Sequence, residues 1–175
     1  MAEVKRQYDS YGQISSKLYK EWFEVNGIKE GEFKSYHYNR KLDHICNYVN
    51  GKLEGEYKIY HNNGQLYEIV NYVNDKREGE YKRYGENGKL KEICNYVNGK
   101  LEGESKFYYI YDKLSCICNY VNGKQEGEYK QYHYNGQLKL ICNYVKGMKD
   151  GECKEYYENG QLKEISNWIN GKLII

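Results

Sequence analysis

Gly55 to Glu78 reads GEYKIYHNNGQLYEIVNYVNDKRE, and nearly everything from Gly31 onward is a copy of it. Glycine-glutamate recurs at Gly31, Gly55, Gly79, Gly103, Gly127 and Gly151, a fixed step of 24 residues with no insertion or deletion. Self-similarity at a constant period marks a repeat architecture. The repeats are residues 31–54, 55–78, 79–102, 103–126, 127–150 and 151–175. Residues 1–30 precede them as an N-terminal segment and a degenerate capping half-repeat.

Each copy carries two turn signals about half a repeat apart. Asn63-Gly64 separates GEYKIYHN from QLYEIVNYV, and Asn74-Asp75, which is Asn50-Gly51 or Asn98-Gly99 in sister copies, separates that run from the next GEY. Asn-Gly suits a type I′ hairpin turn, because both central residues need positive φ and these two tolerate it best. Every repeat therefore reads as a β-hairpin joined to the next by another tight turn. Connections this short exclude parallel crossovers. The chain is expected to be all-β, an elongated single-layer antiparallel meander of about 13 strands, roughly 60 Å long at about 4.8 Å per strand.

Counting outward from a two-residue turn pairs Asn62 with Gln65, His61 with Leu66, Tyr60 with Tyr67, Ile59 with Glu68, Lys58 with Ile69 and Tyr57 with Val70. Side chains alternate faces along a strand. One face then carries Leu53, Tyr57, Leu66, Val70 and Tyr72, and the other carries Glu56, Lys58, Tyr60, Ile69, Asn71 and Val73. An even period preserves this assignment in every copy, so each position becomes a ladder with a spacing of roughly 9.5 Å.

The pattern G-E-Y-K-x-Y-x-x-N-G-Q-L-x-x-I-C-N-Y-V-N-G-K-x-E resembles MORN repeats, specifically the variant of bacterial antitoxin-like repeat proteins and of giant-virus repeat proteins, from Gly31 to Leu173. The resemblance implies a fold; repeat scaffolds of one shape serve many partners.

With 23 tyrosines against 3 phenylalanines and a mean hydropathy of −1.01, a conventional apolar core is excluded. The sheet must be held by tyrosine faces, whose rings cover apolar surface while their hydroxyls reach water. The absence of proline agrees, since proline removes ladder hydrogen bonds. The 27 basic and 25 acidic residues are interleaved, and each repeat lysine follows a glutamate by two positions on one face, as in Glu56 and Lys58. No cationic groove for nucleic acid results. No apolar run approaches the roughly 18 residues that span a bilayer, and MAEVKRQYDS lacks a signal-peptide apolar region. The expectation is a cytoplasmic protein, in host cytoplasm if the giant-virus resemblance extends to its source.

Departures from the pattern are the candidate functional features. The segment KLYKEWFEVNGIKE from Lys17 to Glu30 aligns as half a repeat and reads as a cap, with Trp22 on the Val70 position and Asn26-Gly27 on the turn; Ala2 to Gly12 is polar and either frays or adds a strand. The fourth repeat has Ser105 at the Tyr57 position and Tyr111-Asp112 at the turn. Its run Phe107, Tyr108, Tyr109, Ile110, Tyr111 is the candidate partner-binding patch, with Phe107 and Tyr109 expected on one face. The tail Leu173, Ile174, Ile175 at an open sheet edge reads as a folded-over cap or, secondarily, as a self-association surface.

Cys46, Cys94, Cys118 and Cys142 share the position of Val70 and Ser166, a small-residue packing slot. Their ladder spacing exceeds the roughly 7 Å limit for a disulfide and prevents convergence on a metal ion. They read as reduced thiols facing glycine, Cys142 against Gly151 for example, in a reducing compartment. The closest pair is expected to be Cys142 and Cys153, diagonal neighbours at roughly 7 to 8 Å. His37, His61 and His133 share a position near a turn tip, with His44 diagonal to His37, and read as surface histidines. No nucleophile, base and orienter set, phosphate loop, metal constellation or cofactor fingerprint is recognisable, so the chain reads as non-enzymatic.

These features point to a non-catalytic scaffold for an unidentified protein partner, with specificity at the variable positions Ser35, Ile59, Arg83, Phe107, Gln131 and Glu155. The antitoxin-like resemblance implies an alternative, a protein that binds and neutralises a toxin or effector enzyme. A membrane-associated MORN module is a third class, for which the sequence offers neither basic patch nor amphipathic helix.

Overall fold

The structure, a computed structural model, describes residues 2–9 and 17–174; residues 10–12 of the first segment and Ile175 of the apolar tail lie outside the described residues. Every regular element among them is a β-strand and the strand pairings are antiparallel. The strands fall into two compact units, Met1–Gly88 and Lys89–Ile175.

The first unit holds β1 (Ala2–Asp9), β2 (Lys17–Val25), β3 (Ile28–Tyr36), β4 (Leu42–Val49), β5 (Lys52–Leu53), β6 (Gly55–Tyr60), β7 (Leu66–Val73) and β8 (Lys76–Tyr84). The second holds β9 (Leu90–Val97), β10 (Lys100–Leu101), β11 (Gly103–Tyr108), β12 (Leu114–Val121), β13 (Lys124–Gln125), β14 (Gly127–Tyr132), β15 (Leu138–Val145), β16 (Met148–Lys149), β17 (Gly151–Tyr156), β18 (Leu162–Ile169) and β19 (Lys172–Ile174). The strands outnumber the turn-based expectation for two reasons. β1 completes a hairpin with β2, and β19 adds one beyond β18. The rest arise where a glycine splits one run in two, as between β5 and β6.

The turns between repeats are type I′, as their sequences require. Asn50 and Gly51 have φ of 50° and 78°, and Asn74 and Asp75 have 49° and 65°. The turn inside the second repeat differs from the type I′ pair expected at Asn63-Gly64. There only Gly64 is left-handed, at 90°, its N–H donates to the His61 carbonyl at 2.8 Å, and the His61 N–H donates to the Gln65 carbonyl at 2.8 Å. This is a type I turn closed by a left-handed glycine, which leaves a bulge in the returning strand.

The bulge corrects the register near the turn. Tyr57, Lys58 and Ile59 pair with Val70, Ile69 and Glu68 as counted, but Tyr60 pairs with Leu66 and Tyr67 is the extra residue. Leu66 therefore shares the face of Glu56, Lys58 and Ile69, opposite to its expected side.

A second correction comes from the Gly-Glu step. Gly55 has a φ of 84° within what would otherwise be one strand. Across that glycine the register moves by two residues: Tyr48 pairs with Leu53, whereas Ile45 pairs with Lys58. The same shift separates Glu24–Lys29 from Trp22–Phe33 between β2 and β3. The slot occupied by the repeated cysteines thus faces the Tyr57 position of the next repeat, and not its glycine.

Side chains tie each repeat to the next along both edges of the meander. On one edge the Asn63 Oδ1 accepts from the Gln65 N–H at 2.9 Å while its Nδ2 donates to the Glu86 carbonyl at 2.7 Å. Asn39 and Asn135 do the same toward Asn62 and Glu158. Beside them the Nε2 of His37, His61 and His133 donates to the Tyr60, Tyr84 and Tyr156 carbonyls at 2.8, 3.1 and 2.8 Å. A carbonyl only accepts, so Nε2 carries the proton. On the other edge Glu30, Glu54, Glu102 and Glu126 accept from the backbone N–H of Asn50, Asn74, Asn122 and Lys146.

A tyrosine face with a variable row

The two faces differ in what they bury. On one, Glu32, Glu56, Glu80, Glu104, Glu128 and Glu152 pair with the lysine two residues on, as the spacing predicts. Among the described residues, those that lose nearly all solvent contact lie, in each unit, on the other. They are Phe33, Cys46, Val70 and Tyr81 with Ser35 and Glu68 in the first unit, and Cys94, Ser105, Cys118, Cys142 and Cys153 in the second.

The central row of this face alternates the Tyr57 and Val70 positions from strand to strand. Ladder pairs Phe33–Cys46 and Tyr57–Val70 lie within repeats, and Trp22–Phe33 lies between the cap and the first. Bulky rings thus flank Cys46 and Val70 on both sides, and a small residue fits between them. Rings lean across it: Trp22 stacks on Phe33 at 6.2 Å, and Tyr57 meets Tyr72 edge-on at 5.4 Å. Burial pushes the Cys46 thiol up to about 11 and the Tyr57 hydroxyl up to about 12.

Beside this row runs a second, built from the variable positions. Each pairs within its hairpin with another variable residue: Ser35 with His44, Ile59 with Glu68, Phe107 with Cys116, Gln131 with Leu140, and Glu155 with Glu164. Inter-hairpin ladders close the gaps, through His44–Ile59 and Glu68–Arg83 in the first unit and Glu92–Phe107, Cys116–Gln131 and Leu140–Glu155 in the second. Sequence reasoning found half of the row, the Ser35 to Glu155 series. Ile59 and Glu68 pair as counted; what the count lacked is the two-residue shift at the glycine, which sets His44 of one repeat against Ile59 of the next.

The row is chemically uneven. In the first unit the Ser35 hydroxyl donates to Asp43 Oδ2 at 2.9 Å and lies 2.5 Å from His44 Nδ1, which is 3.2 Å from that same carboxylate oxygen. These are the residue types of a hydrolase triad, and the sequence reading overlooked them. The geometry differs from that machinery: serine and aspartate both meet Nδ1, so the imidazole does not bridge them, and Ser35 is 1% exposed. Further along, buried Glu68 accepts from the Tyr81 hydroxyl at 3.1 Å and pairs with Arg77 at 3.3 Å.

In the second unit Cys116 donates its S–H to Cys118. That bond holds the Cys118 thiol below its ordinary value against the opposing effect of burial, and drives the Cys116 thiol upward. Beyond them a depression of about 320 Å³ opens on this face, lined by Gln131, Leu140, Cys153, Glu155 and Trp168 among others.

The aromatic run of the fourth repeat is dispersed. Phe107 lies half-buried in the variable row opposite Cys116, whereas Tyr108 pairs with Leu114 on the other side of a bulge. Tyr109 takes the place of the turn histidines: its hydroxyl donates to the Tyr132 carbonyl of the next repeat at 2.9 Å. Ile110 and Tyr111 alone are well exposed, at 50% and 71%. Tyr111 and Asp112 hold φ of 70° and 60°, and Asp112 pairs with Lys89 at 2.7 Å.

Tandem hairpins, left-handed glycines at a fixed step and tyrosine ladders define a β-meander repeat protein. The MORN repeat variant family model matches residues 53–74, 77–98, 125–146 and 149–173, more than half of the chain. The chain belongs to that family. No curated protein sequence matches it. Among solved structures, a GtfA/B complex bound to UDP and GlcNAc matches 64% of this chain at 12% identity and a TM-score of 0.26. This chain covers 22% of that one, and so slight a likeness carries nothing about activity.

Proposed function

We propose that the chain is a non-catalytic repeat scaffold that binds a protein partner through the variable row of its tyrosine face. One observation supports the reading above others: positions that make the fold recur nearly unchanged, while one row of adjacent positions, partly accessible in the second unit, changes from repeat to repeat. A row under purely structural demand would repeat like the Glu56 and Lys58 ladder on the opposite face. Variation on a rigid frame is how repeat proteins assign specificity. The polar and apolar alternation of the row, from Phe107 through Gln131 and Leu140 to Glu155, suits a protein surface better than a nucleic-acid backbone. The six free thiols support a reducing, cytoplasmic setting.

The test is affinity capture with a photo-crosslinking residue placed either at Gln131 in the row or at Lys130 on the opposite face. The reading expects one protein adduct from position 131 and none from 130. A single stoichiometric enzyme in the adduct would narrow the scaffold to a neutralising role, whereas lipid recovered without protein would contradict it.

A further inference from the structure

Cys153 is the one Tyr57-type position in the repeats where the aromatic is replaced by cysteine, and it stands against the small-residue slot of the preceding repeat, filled by Cys142. Between β15 and β17 the ladder runs Leu140–Glu155 and Ile141–Lys154, and the next step of that register sets Cys142 against Cys153. The corresponding residues of the cap and first repeat, Trp22 and Phe33, are a ladder pair outright. Directly opposed residues on antiparallel strands have Cα atoms about 4.5 to 5.5 Å apart, inside the range a disulfide spans, whereas the diagonal placement expected from simple turn counting was at its limit. Both thiols are free, 2% and 3% exposed, and hydrogen-bonded to each other. Cys153 also lines the depression beside Gln131 and Trp168.

We propose that Cys142 and Cys153, the second of which lines this depression, are a redox-reversible dithiol with hydrogen peroxide as oxidant. Cys153 attacks one peroxide oxygen, the O–O bond breaks, and the products are a Cys153 sulfenic acid and water. The Cys142 sulfur then displaces the hydroxyl, which leaves as a second water with the Cys142 proton, and the S–S bond forms. Two electrons pass from the two thiols to the peroxide. Thiol–disulfide exchange with a small dithiol returns both cysteines to the reduced state. At the positions facing Cys46 and Cys94 stand Tyr57 and Ser105 in place of a cysteine. The consequence is a covalent clamp between β15 and β17 on the proposed recognition face, although the chemistry stands whether or not that face binds a partner.

The test uses the intact chain treated with hydrogen peroxide, denatured, alkylated, digested and mapped by mass spectrometry. The expected result is loss of alkylation at Cys142 and Cys153 together, a linked peptide that joins them, and full recovery after dithiothreitol, with Cys46 and Cys94 alkylated throughout. Cys142→Val, which restores the residue of the Val70 copy and so suits the slot, should abolish the link and leave Cys153 trappable by a sulfenic acid reagent. The proposal fails if Cys142 and Cys153 stay as fully alkylated as Cys46, if a Cys116–Cys118 link forms in their place, or if Cys153 in the natural chain proceeds to sulfinic acid without a link.

Discussion

The carboxylate of Glu54 accepts a hydrogen bond at 2.9 Å from the backbone N–H of Asn74, twenty residues further along the chain. The bond joins the end of one repeat to the type I′ turn that closes the next, and its counterparts recur at Glu30, Glu102 and Glu126. Together with the Asn63 ties on the opposite edge, it makes a repeat a unit that is complete only with a neighbour.

The Asn63 amide should therefore matter through two bonds, one inside its turn and one to Glu86. Asn63→Ala is expected to cost about 1 to 2 kcal/mol, seen as a lower urea midpoint. Asn159 retains the turn bond at 3.0 Å, but its Nδ2 reaches only Gln161 Oε1 at 3.4 Å. Asn159→Ala should cost less than half as much.

Backbone handedness gives a pair of opposite effects. Gly55 has a φ of 84° and open space where a Cβ would sit, so Gly55→Ala is penalised by conformation alone, by about 1 kcal/mol. Arg40 holds a φ of 66° at the position where Gly64 stands in the sister repeat. Arg40→Gly should relieve that conformation and raise the denaturation midpoint modestly. Equal destabilisation by both substitutions would contradict the turn assignment.

Alkaline pH should unfold the tyrosine face before it affects the charged one. Burial raises Cys46 from 9.0 to about 11, and Tyr57 and Tyr120 from 10.0 to about 12. For each group the folded value exceeds the unfolded one, so its contribution is whole below the unfolded value and is lost as pH rises through the folded value. Stability should hold to about pH 9 and decline from there to about pH 12, measured as denaturation midpoints across that range. In Tyr57→Phe the decline should be shallower above pH 10, since one titrating group is gone.

The 24-residue period, the alternation of turns and the Glu-Lys face were legible in the sequence because each depends only on local spacing. What escaped was register. The fixed glycine of each copy marks the repeat, but its left-handed conformation inside a strand shifts pairing by two residues, and no count from the type I′ turn includes that shift. Asn63 misled differently: it occupies the turn for its amide hydrogen bonds, whereas the left-handed residue is Gly64 alone. The bulge at Tyr67 places Leu66 on the charged face, and the shift at the glycine sets Cys142 against Cys153 and His44 against Ile59. The aromatic run from Phe107 to Tyr111 looked like one patch because consecutive aromatics suggest a cluster, while the bulge after Phe107 and the turn-spanning bond of Tyr109 separate them.

Recognition by the variable row is tested most directly by calorimetric affinity for the captured partner, with two double variants that leave the ladders intact. Phe107→Ala with Gln131→Ala removes two side chains from the row; Glu128→Gln with Lys130→Gln neutralises the opposite face of the same hairpin. Truncated interface anchors typically cost on the order of 2 kcal/mol or more, so the row variant should bind at least about tenfold more weakly. The opposite-face variant should match the natural chain. Unchanged binding by the row variant, with a loss of affinity in the opposite-face variant, would contradict the assignment of the tyrosine face as the recognition surface.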